Sequence, residues 1–164
     1  MNGAMRVTIR EMRREDARRF LDVHHAAVRG LAARDYPPAV IEAWAPAITD
    51  ERIERFLANR DRELRLVAEI GGEIVGIGAL VARASELRAC YVAPTAARRG
   101  VGTAIVNEIE RIARGDGLNS LTLQSSITAE PFYSALGYEV VSRGELTIAP
   151  QLRMAAVTMR KAVG

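Results

Sequence analysis

Apolar and polar positions change period several times along the chain, and each change predicts an element. From Arg6 to Met12, apolar Val7, Ile9 and Met12 alternate with polar neighbours, which predicts a strand; Arg13 to Asp16 then turn into a helix. Between Glu15 and Leu31, Ala17, Phe20, Leu21, His24, Val28 and Leu31 recur at helical spacing, while Arg18, Arg19, Asp22 and Arg29 fall mostly elsewhere. Tyr36-Pro37-Pro38 breaks this amphipathic helix. Two shorter helical stretches follow, Val40 to Ala47 and Glu51 to Asn59, the second capped by Thr49 or Asp50. Leu64 to Ile70 and Ile74 to Val81 read as strands joined by Gly71-Gly72, the dipeptide of a tight hairpin. A strand over Glu86 to Val92 leads to a long helix with Val101, Ile105, Ile109 and Ile112 on one face. Then come a strand at Ser120 to Gln124, a helix at Ala129 to Leu136, and strands near Tyr138 to Val141 and Met154 to Arg160. This order predicts an α/β fold, a mixed, mostly antiparallel sheet flanked by helices, without repeat or linker.

Composition narrows the class. A chain of 164 residues, 49% hydrophobic, can bury one core, so residues 1–164 are expected to form a single domain. Met1 to Met12 is interrupted by Asn2, Gly3, Arg6 and Arg10, and so reads as neither signal peptide nor anchor. No uncharged apolar run approaches bilayer length. A cytoplasmic protein with no membrane partner is expected. Cys90 is the single cysteine and His24 and His25 the only histidines, so no metal site is expected. The net charge of +3 and pI near 9.5 raise nucleic acid as a partner, but the basic residues are scattered among 20 acids, and no nucleic-acid partner is expected. Lys161 is the only lysine; the other basic residues are Arg, whose fork suits phosphate oxygens.

The most informative stretch is Tyr91-Val92-Ala93-Pro94 followed by Arg98-Arg99-Gly100-Val101-Gly102-Thr103, between a strand and an amphipathic helix. Gly100 and Gly102 let backbone approach a ligand closely. The first N–H groups of the helix have no internal partner, and its dipole favours an anion there. Arg98 and Arg99 add charge-assisted donors. The plain alternative is a strand-to-helix turn that needs small residues. A dinucleotide fingerprint would place a third glycine where Ile105 stands, and a Walker loop needs Gly-Lys-Ser/Thr where Gly102-Thr103-Ala104 is found.

These residues resemble the signature of the GNAT (GCN5-related) N-acetyltransferases, a Gln/Arg-x-x-Gly-x-Gly/Ala turn after a strand ending like Tyr-Val-x-Pro. Ala97 stands where that family has Gln or Arg. Downstream, Thr128-Ala129-Glu130-Pro131-Phe132-Tyr133-Ser134-Ala135-Leu136-Gly137-Tyr138 is similar to the family's Ala-x-x-Phe-Tyr-x-x-x-Gly-Phe/Tyr segment, with Thr128 where many members carry Asn. Its local chemistry suits a helix: Thr128 as cap, Pro131 in the first turn, Gly137 at a left-handed exit. The resemblance implies a GNAT-like fold using acetyl-CoA and no metal. The N–H groups from Arg98 to Thr103 would cradle the pyrophosphate. Tyr91, Val92 and Ala93 would pair with the pantetheine arm, and Thr128 and Tyr133 would complete the cofactor site. The acceptor would be an amine on a small molecule or peptide, and the last strands could pair two copies into a homodimer.

For catalysis, the resemblance puts Tyr133 beside the thioester sulfur as the acid; otherwise it is a packed aromatic. Glu86 stands at the distance before the glycine turn at which histone-acetylating members carry a catalytic glutamate. Period two puts it on one strand face with Arg88, Cys90 and Val92. The alternative is a solvated strand-end carboxylate neutralised by Arg88. The oxyanion donor would be the Val92 N–H, by family analogy. Cys90 as nucleophile competes with Cys90 as a small buried hydrophobe. His24, Tyr36 and Trp44 are candidates for the acceptor pocket, against a core role for each. The rival functions are a non-catalytic acyl-CoA-binding module and a nucleic-acid-binding protein, the latter with affinity that falls steeply with salt.

Overall fold

The computed structural model describes residues 6–164; Met1 to Met5, part of the segment read as lacking a signal, lie outside the described residues. Seven strands form one sheet in the order β1-β2-β3-β4-β5-β7-β6. They are β1 (Val7–Glu11), β2 (Leu64–Ile70), β3 (Glu73–Val81), β4 (Glu86–Val92), β5 (Ser120–Ser126), β6 (Glu139–Ala149) and β7 (Leu152–Ala162). All neighbours are antiparallel except β4 and β5, which run parallel and share a single registered pair, Glu86 with Thr122. Gly71 and Gly72 take φ of 59° and 81° at the β2–β3 hairpin, the left-handed pair that such a tight turn requires.

Helices cover both faces. On one, α4 (Val101–Gly115) lays Val101, Ile105 and Ile109 over β3, and α5 (Glu130–Ala135) adds Tyr133. Close approach is possible because β3 carries Gly76 and Gly78 beneath α4: a Cβ at Gly78 would come within 2.5 Å of Ile105 Cγ2. A buried cluster pins the same helix to β7. Glu110 accepts from Lys161 Nζ at 2.8 Å and from the Tyr138 hydroxyl at 3.2 Å. On the opposite face α1 (Ala17–Ala27) packs Phe20 and Val23 on Val67 and Ile77. α2 (Pro38–Trp44) forms a separate cluster in which Val40 and Ile41 meet Leu146, Leu152 and Met154 of the β6–β7 hairpin.

Three departures from the sequence reading matter for the site. The helix expected through Leu31 becomes a π turn at Val28–Ala32, where Gly30 lies so close to Pro94 that a Cβ would come within 2.7 Å of its ring. α2 begins at Pro38 and ends at Trp44, because Ala45 leaves helical geometry ahead of Pro46, whereas α3 (Asp50–Ala58) takes Thr49 as its cap, the Oγ1 accepting from Arg52 N–H at 3.1 Å. The last two strands are much longer than their apolar patches suggested: β6 is an edge strand, almost wholly exposed, whose polar run Ser142-Arg143-Gly144-Glu145 has no buried face to impose alternation.

Candidate active site

Because β4 and β5 part after one registered pair, the sheet opens into a V, and two cavities of about 360 Å³ each reach it. They share Trp44, Cys90, Tyr91, Ser126 and Ala129 as common wall.

The first cavity lies toward the start of α4. Arg98 and Gly100 both adopt left-handed backbone, with φ of 62° and 77°, just before the helix begins. Such a turn aims successive N–H groups into one concavity, the arrangement that binds anions. None of the N–H groups from Arg98 to Thr103 has an acceptor among the described residues. Arg98, Gly100, Val101, Gly102 and Thr103 line the cavity; Arg99 is exposed and does not. A Cβ on Gly102 would meet Phe132 Cζ at 3.0 Å, so the bare backbone is what lets the Phe132 ring pack this close to the start of α4. Val28 and Leu31 of the π turn form the opposite wall, and Ala97 is part of the lining. Free donors, a left-handed turn and an adjoining apolar channel fit a phosphate joined to a long neutral arm, as in coenzyme A.

Val92 lines this cavity, while Ala93 is buried behind it. Ala93 donates its N–H to Val75 O at 2.8 Å, so the alternation of an antiparallel ladder turns the Val92 N–H to the open edge of β4. Thr128 lines the cavity but caps no helix. Its hydroxyl donates to Asp35 Oδ2 at 2.6 Å, α5 begins after Ala129, and Ser126 Oγ accepts the Ala129 N–H.

The second cavity lies between β4, β5 and the β6–β7 hairpin. Tyr133 lines it, 6% exposed, and its phenol forms no hydrogen bond to another of the described residues. Burial, with Cys90 and Tyr91 alongside, pushes the phenol well above its ordinary value, so it stays protonated. Glu86 also lines this cavity, its side chain 25% exposed. The β3–β4 register slips here: Leu80 pairs with Leu87 and Ala79 with Ala89, leaving Arg88 as a bulge. The bulge breaks the expected alternation. Leu87, Cys90 and Val92 turn to the α4 core, and Glu86 does not share their face. Arg88 instead grips Glu86 through Nε and Nη2 at 2.8 and 3.0 Å.

Cys90 gives its thiol to Gly102 O at 3.7 Å, and burial pushes it up to about 12, so it carries no thiolate for nucleophilic attack. Trp44 borders both cavities. Tyr36 borders neither: its hydroxyl donates to Ala155 O at 2.7 Å and accepts from Ile127 N–H at 2.8 Å, tying β7 to the β5–α5 turn. His24 also lies behind the wall, edge-on to Tyr91 with ring centroids 4.7 Å apart. Tyr91 borders both cavities, and burial raises its phenol to about 12. Sequence reasoning missed Leu146, Met154 and Gln124 of the second cavity and Phe132 of the first. Phe132 was within the recognised segment, but the other three had no local signal. Among the described residues no group of three or more His, Cys, Asp or Glu is arranged to hold a metal ion, and no helix is long and apolar enough to cross a membrane.

Residues 32–161 match the family model for the acetyltransferase (GNAT) domain. The chain is 28% identical over 137 residues to the uncharacterized N-acetyltransferase YafP of Escherichia coli, covering 84% of each. Among solved structures, a GCN5-related N-acetyltransferase from Rhodopseudomonas palustris superposes with a TM-score of 0.85 at 30% identity, covering 94% of both chains. The PaiA N-acetyltransferase from Thermoplasma acidophilum, solved in complex with coenzyme A, shares the fold with a TM-score of 0.75 at 23% identity, covering 96% of this chain and 99% of that one. The chain belongs to the GNAT acetyltransferase family.

Proposed function

We propose that the protein transfers the acetyl group of acetyl-CoA directly to an amine, with the donor in the first cavity and the acceptor entering through the second. The observation that carries this is the V between β4 and β5, where the two cavities share one wall. Two substrates entering from opposite sides would meet at Cys90 and Tyr91. The unsatisfied N–H groups from Arg98 to Thr103 support a pyrophosphate site, and coenzyme A in the Thermoplasma acidophilum neighbour supports the identity of the donor.

Bound acetyl-CoA supplies a thioester carbonyl and a thiol leaving group. This chain's residues would do the rest. The Val92 N–H, at the open edge of β4, would donate to the carbonyl oxygen as negative charge develops there. Tyr133, protonated and without another partner, would donate its proton to the departing sulfur and regain one as the nitrogen sheds its second proton on forming the amide. Glu86, on the wall of the acceptor cavity, would take a proton from the incoming ammonium, directly or through water. The raised Cys90 thiol argues against a covalent acetyl-enzyme and for direct attack.

The test begins with thermal unfolding of the protein with acetyl-CoA, free CoA or NADH, since a ligand that binds only the folded state raises the midpoint. Stabilisation by both CoA species and not by NADH, followed by amine-dependent CoA release, is the expected result. Stabilisation without turnover on any amine or peptide would favour a non-catalytic acyl-CoA-binding module, and no stabilisation would overturn the cofactor site itself.

A further inference from the structure

Among the described residues the second cavity has one cationic side chain in its wall, and that cation is already committed. Arg88 gives Nε and Nη2 to Glu86, and Nη1 to Asp61 Oδ2 at 2.9 Å and Glu63 Oε1 at 3.3 Å. Three carboxylates thus hold one guanidinium. A carboxylate or phosphate entering the cavity would find no free fork and would lie beside Glu86, an unpaired anion leaving water. Most neutral side-chain oxygens of the wall are engaged as well, while the Tyr133 phenol, assigned to the thioester sulfur, and the Gln124 amide N–H groups are single neutral donors and no substitute for a guanidinium fork. Ser125 Oγ donates to Ser126 O at 2.7 Å, Ser126 Oγ accepts from Ala129 N–H at 3.1 Å, and Gln124 Oε1 accepts from Thr158 Oγ1 at 2.9 Å. Much of the remaining wall is aromatic or apolar, including Trp44, Tyr91, Leu146 and Met154.

We infer that the acceptor is a small primary amine on an apolar or aromatic body that carries no carboxylate or phosphate. The inference rests on the reading that this cavity receives the acceptor. Glu86 is the complementary charge for an ammonium group, and the aromatic faces favour a cation and an apolar body alike. A volume of about 360 Å³, closed on one side by α2 and the β6–β7 hairpin, suits a small molecule.

The test uses matched pairs, phenethylamine against phenylalanine and tyramine against tyrosine. Each is assayed with the full chain and saturating acetyl-CoA, by thiol release and by mass of the product. Binding of phenethylamine and phenylalanine to the CoA-loaded protein is measured in parallel by calorimetry. Each amine is expected to exceed its amino acid roughly 100-fold in kcat/KM, the penalty for an unpaired carboxylate. Leu146→Arg, which adds an uncommitted guanidinium to the wall, is expected to narrow that ratio about tenfold by improving the amino acid. Equal handling of the pairs, preference for the amino acids, or failure of phenethylamine to bind the CoA-loaded protein would overturn the inference while leaving the cofactor cavity intact. Failure of acetyl-CoA to stabilise the protein is a separate result, which would remove the transferase reading and this one with it.

Discussion

Arg88 holds Glu86 by both carboxylate oxygens, at 2.8 and 3.0 Å, across the bulge that takes Arg88 out of the β3–β4 register. The grip fixes the carboxylate at the cavity wall while leaving lone pairs on each oxygen for a second partner. If Glu86 is the base, Glu86→Gln lowers kcat/KM by about 100-fold or more, most severely at low pH, where more of the amine must lose a proton. Arg88→Met keeps the stem and frees the carboxylate, so it should retain much more activity than Glu86→Gln. Equal loss in both variants, matched by equal loss of thermal stability, would make the pair structural. The pH–rate profile and the unfolding midpoint of each variant separate these outcomes.

Tyr133 is buried and protonated and forms no hydrogen bond to another of the described residues, which leaves its phenol available to a ligand. Tyr133→Phe removes one oxygen from a site where the ring still packs on Phe132 and Tyr138, with centroids 5.0 and 5.8 Å apart. The expected result is a fall in kcat of about 100-fold with acetyl-CoA affinity nearly unchanged. Unchanged turnover would return Tyr133 to a packing role.

Gly102 faces Phe132 and Val92 at the start of α4, and a methyl there would stand 3.0 Å from the Phe132 ring. Gly102→Ala should therefore raise the KM for acetyl-CoA about tenfold or more while leaving the helix itself no less stable, since alanine is the better helix former. Gly100→Ala behaves differently: nothing lies within 4 Å of its Cβ, but its φ of 77° strains any L side chain, so the expected loss is in stability, about 1 kcal/mol. Calorimetric binding of CoA alongside melting of the two variants checks the contrast.

What the sequence made legible was whatever left a periodic or glycine signal. Ile105 and Ile109 marked α4, Gly71-Gly72 marked the hairpin, and Gly100-Val101-Gly102 marked the left-handed turn into α4. The Arg88 bulge left no such mark, because one extra residue in a strand changes which face each side chain takes without changing composition; Glu86 was therefore assigned to the wrong face. The long hairpin was hidden for a related reason. Leu146 reaches the cavity from β6, whose other positions mostly face solvent, and Met154 from the start of β7, on the side that packs against α2 and away from the Val157 and Met159 core, so no local pattern marked either as a cavity residue. Tyr36 was weighed as an acceptor-pocket aromatic against a core role, but its task, joining the Ile127 N–H to Ala155 O, depends on partners remote in sequence.

His24 provides a pH test of the wall behind the cavities. Burial, aided by Arg52 and His25, pushes its imidazole down to about 4 from an ordinary 6.5, and its Nδ1 has no partner among the described residues. The folded protein keeps His24 neutral, whereas the unfolded chain protonates it as pH falls through 6.5. Stability from this residue is thus fully present above pH 6.5 and is lost progressively down to about pH 4, to a total of about 3 kcal/mol. His25, also lowered by burial, acts in the same direction. His24→Leu should flatten the fall in urea midpoint between pH 7 and 4.5 relative to the parent. A parallel fall in both proteins would exclude His24 as its source.

The contact between Gly78 and Ile105 tests how closely α4, which begins at the glycine turn proposed to hold the pyrophosphate, must sit on β3. Gly78→Ala would drive a methyl to within 2.5 Å of Ile105 Cγ2 and 3.1 Å of Ile109 Cδ1. Ile105 is fully buried, so the clash is relieved only by moving the helix or the strand. The expected cost is about 2 kcal/mol, or about 5 °C in Tm for a chain of this size. Moving α4 would also shift the N–H groups of Val101 to Thr103, so CoA affinity should fall with stability. Ile105→Ala alone leaves a cavity and should destabilise by about 3 kcal/mol. In the double variant the new methyl occupies part of that cavity, so the two costs should sum to less than their separate values. Strict additivity in the double-mutant cycle would mean that the two positions do not share this contact, and that α4 is held by Val101 and Ile109 instead.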